Sequence, residues 1–208
     1  MYFKNRKLDV SKLGIIEVSC FKMLNRKRKE FYNYHANVPL TKGLKTKAKF
    51  WTKQAKAGVA LPPNIMVIVI DSTSRSDFYR SLPKTTKFMT ERLGFIEFKA
   101  HHPMGEATMR NAIAMLVGVH LENFTKQYHQ SWQQHWDNTP FIWNEFDKIN
   151  YATGYLEDMP GAGTWNYGGQ RGFIEQPTDL YFRPLGLAHN SKFSHSKKVK
   201  VRLQNICL

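Results

Sequence analysis

Pro63-Asn64-Ile65-Met66-Val67-Ile68-Val69-Ile70-Asp71-Ser72-Thr73-Ser74-Arg75 is the stretch that decides the fold reading. From Ile65 to Ile70 every residue is apolar, and all but Met66 are β-branched. A strand with one wet face would alternate, so an unbroken run predicts a strand buried on both faces of a parallel sheet. Such a strand delivers its last side chain to the carboxyl edge of the sheet, where open α/β folds hold their ligands. From the residues alone, Asp71 is a metal ligand, a catalytic carboxylate or a helix cap. A haloacid-dehalogenase-type nucleophile wants a second Asp where Thr73 stands, and an integrin-like metal site wants serines where Thr73 and Arg75 stand. No Gly-rich phosphate loop follows the run.

Working outward, Pro83-Lys-Thr-Thr86 predicts the start of a helix through Phe88, Met89 and Leu93, stopped by Gly94. Phe95-Ile-Glu-Phe98 alternates as a second strand. Gly105-Glu-Ala-Thr108 opens an apolar helical segment, Phe141 to Phe146 is another helix, and Tyr151 to Leu156 is a strand ending in Glu157-Asp158. Strands and helices alternate, so the class is α/β with a mainly parallel sheet flanked by helices. The expected organisation is a small β-like module over 1–40, a Lys-rich linker over 41–61, the main domain over 62–189 and a basic tail over 190–208.

Thr108 sits before a helix, where backbone N–H groups and the helix dipole favour an alkoxide or a bound phosphate. A threonine hydroxyl is too weak an acid to attack unaided at neutral pH, and a divalent cation is one way to activate it. The competing reading is an ordinary Thr cap. Arg75, Asn111 and Asn166 are possible anion or substrate contacts, and Glu157 and Asp158 can either position substrate or form a turn. Arg110 reads as solvent-facing, His101 and His102 as surface loop, and Trp132, Trp136 and Trp143 as packing.

The formal charge is +15, but it is unevenly placed. Residues 1–60 hold 15 Lys/Arg against 3 Asp/Glu, residues 190–208 hold 5 against none, and residues 61–189 hold 11 against 13. A nucleic-acid-binding fold carries its positive stripe on folded elements, so flanking charge argues against specific nucleic-acid recognition. Two cysteines, Cys20 and Cys207, make neither a disulfide framework nor a Cys-x-x-Cys zinc motif. Cys20 reads as a free buried thiol. Neither a signal-peptide run nor a membrane-spanning window is visible.

Taken in order, Val18-Ser-Cys20-Phe, Tyr34 to Pro39, Asn64 to Arg75 with Phe78, Leu82 to Thr85, Gly105 to Thr108 with Asn111, Gly154 to Tyr167 and Pro177 to Pro184 resemble one family. It is the domain-of-unknown-function 229 family, within the alkaline-phosphatase and sulfatase-like superfamily, and the likeness covers residues 15 to 189. The resemblance implies an alkaline-phosphatase-like sheet, Asp71 as the first ligand of a Zn, Mg, Ca or Mn ion, and Thr108 as nucleophile and metal ligand. It implies a metal-dependent phosphoester hydrolase or transferase acting on a small phosphoester or sulfoester substrate, and a secretory or extracellular location. True sulfatases of the superfamily use a formylglycine made from Cys or Ser, which Thr108 cannot become. Further metal ligands lie in the C-terminal half of such domains, and nothing after Arg183 resembles them. The expectation is therefore an N-terminal fragment, inactive as it stands, without a tightly held metal. The competing expectation is a non-catalytic extracellular interaction protein that binds polyanions through its basic flanks.

Overall fold

The computed structural model describes residues 9–24, 27–128, 134–190 and 199–203. Strands β1 (Ile15–Leu24) and β2 (Lys27–Ala36) form an antiparallel hairpin with Ile15 opposite Ala36 and Leu24 opposite Lys27. A third strand, β5 (Val199–Leu203), lies parallel to β1 with Ile16 opposite Val199, giving the order β2-β1-β5. The basic tail is thus partly a strand of the N-terminal sheet. Val199-Lys-Val-Arg-Leu203 alternates apolar and cationic residues, a period-two pattern that its Lys content obscured. The rest of that tail, with Cys207, lies outside the described residues, as do Trp132 and the side chain of Cys20.

The expected Lys-rich linker is helix α1 (Lys42–Lys56). Thr41 caps it, its Oγ1 accepting a hydrogen bond from the Leu44 N–H at 3.2 Å. Its inner face is sparse but specific. Leu44 is buried, Trp51 donates through Nε1 to the Asn150 carbonyl at 2.8 Å, and its ring meets Tyr151 edge-on. Lys47 reaches between Asp147 and the carboxylate of Asp179, 2.5 Å away. Burial opposes the Lys47 charge, yet the hydrogen bonds to Asp147 and Asp179 outweigh it and hold the ammonium above its ordinary pKa. Three anchors at helical spacing suffice where a continuous apolar stripe is missing.

Helices α2 (Arg75–Ser81) and α3 (Pro83–Glu91) follow, the first capped by Ser74 and the second opened by Pro83. Gly94 adopts φ +62°, as its placement after α3 anticipates. Helices α4 (Thr108–Val117), α5 (Leu121–Tyr128) and α6 (Ile142–Lys148) carry the core. Met109 and Ile113 of α4 and Leu121 and Phe124 of α5 pack with Trp136, Phe141, Trp143 and Trp165. Phe141 stacks on Trp143 at a centroid distance of 4.1 Å, and Trp136 and Trp165 meet at 5.0 Å with their planes tilted by 56°.

The strand expected over Tyr151–Leu156 reduces to β3 (Gly154–Tyr155), parallel to β4 (Leu180–Tyr181), with helix α7 (Arg183–Asn190) beyond. The run Ile65–Ile70 is assigned no strand among the described residues, and neither is Phe95–Phe98. Met66 is 83 % and Ile68 77 % exposed, with Ile96 and Phe98 similarly open. An apolar run sets how much cover a strand needs, but pairing also needs neighbours, and none of the described segments pairs with these two.

Asp179 holds Lys47 and also accepts from the Thr153 N–H (2.9 Å) and hydroxyl (3.3 Å). Asp179→Ala takes from the Lys47 ammonium one of its two carboxylates and from the Thr153 amide its acceptor, and should destabilise the chain by about 2 kcal/mol. Lys47→Met leaves Asp179 still bonded to Thr153 and should cost about 1 kcal/mol. Urea unfolding of the two variants checks the ordering.

Candidate functional site

Asp71 follows the apolar run, and the chain then turns through Ser72 in the left-handed region, φ +54°. The Ser74 side chain accepts from the Asp77 N–H at 3.1 Å and starts α2. At the other side of the site, Thr108 is the first residue of α4, and the capping position before it is Ala107, which makes no side-chain cap bond. Ala107 has φ +71°. A non-glycine residue at positive φ costs of order 1 kcal/mol or more and persists where its surroundings hold it there. One such residue stands next to each of the two candidates.

The Thr108 hydroxyl donates to Asp71 Oδ1 at 3.0 Å. Two residues 37 positions apart are thereby brought into one polar pair at the open start of a helix. Thr108 does not cap α4 with this hydroxyl, which points across to the carboxylate. The structure therefore assembles Asp71 and Thr108, while Arg75, Asn111 and Glu157 are engaged by other partners.

Asn111 lies one turn into α4, and its amide is consumed by the loop before Thr108. Its Oδ1 accepts from the Met104 N–H at 2.8 Å, and its Nδ2 donates to the carbonyls of Gly105 (2.8 Å) and Ala107 (3.0 Å). Both amide donors are used, so the side chain braces residues 104–107 and has no N–H left for a substrate. A Cβ at 105 would fall 2.8 Å from Arg110 Cδ, so a side chain there would push Arg110 aside.

A second brace went unread in the sequence. His120 Nε2 lies 3.0 Å from the Met104 carbonyl, and its Nδ1 faces the Glu122 carboxylate. Arg110, expected to face solvent, donates to Glu122 Oε1 at 2.7 Å. The Arg110 to Glu122 spacing crosses from α4 to α5, so no local periodicity could reveal it.

Arg75 ion-pairs with Glu97 and lies 5.1 Å from the Tyr79 ring centroid. The Glu97 contact raises the guanidinium pKa and lowers that of the carboxylate. Glu157 is tucked under the Gly161–Thr164 turn, accepting from the Thr164 N–H at 2.7 Å, and a Cβ on Gly163 would strike its Oε2. Burial first, and then the Glu157 charge, push the neighbouring Tyr155 phenol far above its ordinary pKa. Asp158 is exposed. Asn166 packs against Gly172, where a side chain would collide with its amide, and its Oδ1 is buried without a hydrogen-bond partner among the described residues. Among the described residues no group of three or more His, Cys, Asp or Glu stands close enough to hold a metal.

The brace is testable by amide hydrogen exchange. Asn111→Ala should speed exchange of the Met104 amide by about tenfold or more, and Asn111→Asp, which keeps an acceptor for that amide but loses both Nδ2 donors to the Gly105 and Ala107 carbonyls, should speed it by less.

Comparison with known proteins adds one finding. The family described as "Protein of unknown function (DUF229)" matches residues 3–208, so the match runs through the basic tail as well as the domain before it. Neither a curated protein nor a solved structure matches the chain. No helix among the described residues is long and apolar enough to cross a membrane. With nearly its whole length matched, the chain belongs to the DUF229 family.

Proposed function

We propose that the chain carries the nucleophile side of a metal-dependent phosphoester hydrolase or transferase, with Thr108 as nucleophile and Asp71 as its carboxylate partner. The observation that carries this reading is the 3.0 Å hydrogen bond from the Thr108 hydroxyl to Asp71, flanked by left-handed Ser72 and Ala107. Strain beside both members of one polar pair is characteristic of a functional site and costs stability elsewhere on a surface. The start of α4 has no side-chain cap, which leaves its positive end open to an anion.

In the proposed reaction the Thr108 oxygen attacks phosphorus while its proton passes to water, and the P–O bond to the alcohol breaks as the leaving oxygen takes a proton from water. The product is a phosphothreonine and a free alcohol. Water or a second alcohol then displaces Thr108, giving hydrolysis or transfer. Asp71 orients the hydroxyl by accepting its hydrogen bond. The threonine side chain cannot be oxidised to an aldehyde, which argues for phosphoryl rather than sulfuryl chemistry.

Asp71 and Thr108 are hard oxygen donors and suit Mg, Ca, Mn or Zn in kind. They do not suit such an ion in number, since a catalytic zinc takes about three protein ligands and the described residues gather no such group. A divalent cation held there would stabilise an alkoxide and the charge on the transferring group. We therefore place the remaining donors on polypeptide that completes a mainly parallel, alkaline-phosphatase-like sheet around Ile65–Ile70. That sheet would cover the exposed apolar run and put Asp71 at its carboxyl edge. The secretory location implied by the resemblance is part of the same reading.

The 208-residue chain should show no metal-dependent turnover of an aryl phosphate or aryl phosphodiester. A longer polypeptide that supplies the further ligands should turn over one of them and lose the activity on the order of 10⁴-fold in Thr108→Ala. Turnover by the 208-residue chain that disappears in Thr108→Ala would overturn the two-part reading. Turnover by the longer polypeptide that survives Thr108→Ala would remove Thr108 from the nucleophile's role.

A further inference from the structure

The basic N-terminal region becomes an organised surface once α1 is formed. Lys42, Lys45, Lys49, Lys53 and Lys56 are spaced by three, four, four and three residues, and all five are exposed. At 100° per residue they fall on one face within an arc of roughly 80°, opposite the face that carries Leu44, Lys47 and Trp51. At about 1.5 Å per residue the five ammonium groups run along about 21 Å of helix. None of them forms an ion pair among the described residues; the Lys47 pair with Asp147 and Asp179 is on the other face. No Asp or Glu occurs between Glu30 and Asp71, so no carboxylate of this segment neutralises the stripe. At its N-terminal end it enters a cleft of about 590 Å³ lined by Lys12, Pro39, Leu40, Lys42, Lys45 and Lys49.

We propose that this face of α1, with Lys12 in the cleft, binds a linear sulfated polysaccharide of the heparin type. Charge complementarity selects a polyanion, and the single straight row selects a chain over a planar surface. The apolar side of α1 is packed inward at Leu44 and Trp51, so it is not available to enter a lipid surface as an interfacial helix requires. Thr46 and Thr52 stand exposed beside the lysines, the row holds no arginine, and the nearest aromatic, Phe50, lies about 100° round the helix from the middle of the row with its ring edge-on to Trp51. Base edges are read mainly by Arg, Asn and Gln, and single strands are held by aromatic stacking. A row of lysine point charges matches sulfate groups along a flexible chain, which need neither. The binding is independent of Asp71 and Thr108.

The test is fluorescence anisotropy of a labelled heparin-derived octasaccharide against the full 208-residue chain over a range of salt concentrations. Lys45→Gln, Lys49→Gln and Lys53→Gln together should weaken binding about tenfold or more and lower the salt slope by about three. A control with the same charge loss, Lys84→Gln, Lys99→Gln and Lys126→Gln, should weaken it less than about threefold, because distant exposed charges are screened. Circular dichroism of both triple variants establishes that each retains the parent fold. Equal weakening by the two variants would overturn the proposal, since net charge alone would then account for binding. Tighter binding of a single-stranded oligonucleotide of equal charge, or of phosphatidylserine vesicles, would overturn the assignment to sulfated polysaccharide.

Discussion

Everything at the candidate site depends on how α4 is seated. Ile113 is fully buried, and Met109 nearly so, among Phe124, Trp136, Phe141, Trp143 and Trp165. These two positions, four apart, lie on the same face of the helix, and Thr108 begins the turn above them. Removing such a group from an aromatic core costs about 2–5 kcal/mol, so the helix cannot turn or slide cheaply. A fixed helix gives Asn111 a fixed amide, and that amide in turn holds the carbonyls of Gly105 and Ala107. The left-handed Ala107 is the consequence. Core packing thus supplies the stability that offsets local backbone strain, and the strain sets the direction of the Thr108 hydroxyl.

The same logic explains why several polar candidates are already engaged within the chain. Glu157 holds the Thr164 amide, Asn111 holds a loop, and Arg75 is paired with Glu97 beside Tyr79. A carboxylate or amide before a glycine-rich turn has many unsatisfied backbone groups within reach, and burying those groups unpaired is costly. Residues that look available for a ligand in the sequence are often needed first by the backbone. Asp71 and Thr108 differ because each bonds to the other's side chain and the pair remains open to solvent.

Legibility in the sequence followed the range of the interaction. The helix from Thr108, the helix near Phe141 to Phe146, the Pro83 start and the Gly94 stop rest on local signals, and the elements lie there. Helix α1 was hidden because its hold on the domain rests on partners distant in sequence: Asp147, Asn150, Tyr151 and Asp179. Strand β5 was hidden because Lys200 and Arg202 dominate the composition of a segment whose alternation makes it a strand. Within the site, the sequence pointed to an acid after an apolar run and a hydroxyl before a helix, and a 3.0 Å hydrogen bond joins these two residues although the run before Asp71 forms no strand among the described residues. The His120–Glu122–Arg110 brace has no such local logic, since it exists only after α4 and α5 pack.

The run Ile65–Ile70 states the remaining constraint most sharply. Six consecutive apolar side chains, five of them β-branched, are a poor sequence for a surface loop, and all six are exposed. An isolated strand of this kind presents unpaired N–H and C=O groups together with two apolar faces, and both need partners. One added strand would pair one edge and leave both faces wet, so the surface calls for more than a single extended segment. Helices on both faces and strands on both edges are what an α/β sheet provides. The Asp71 carboxylate is attached to the end of this run, and its distance from Thr108 depends on where the run lies. Covering the run would therefore also fix the carboxylate side of the pair, as the aromatic core already fixes the hydroxyl side.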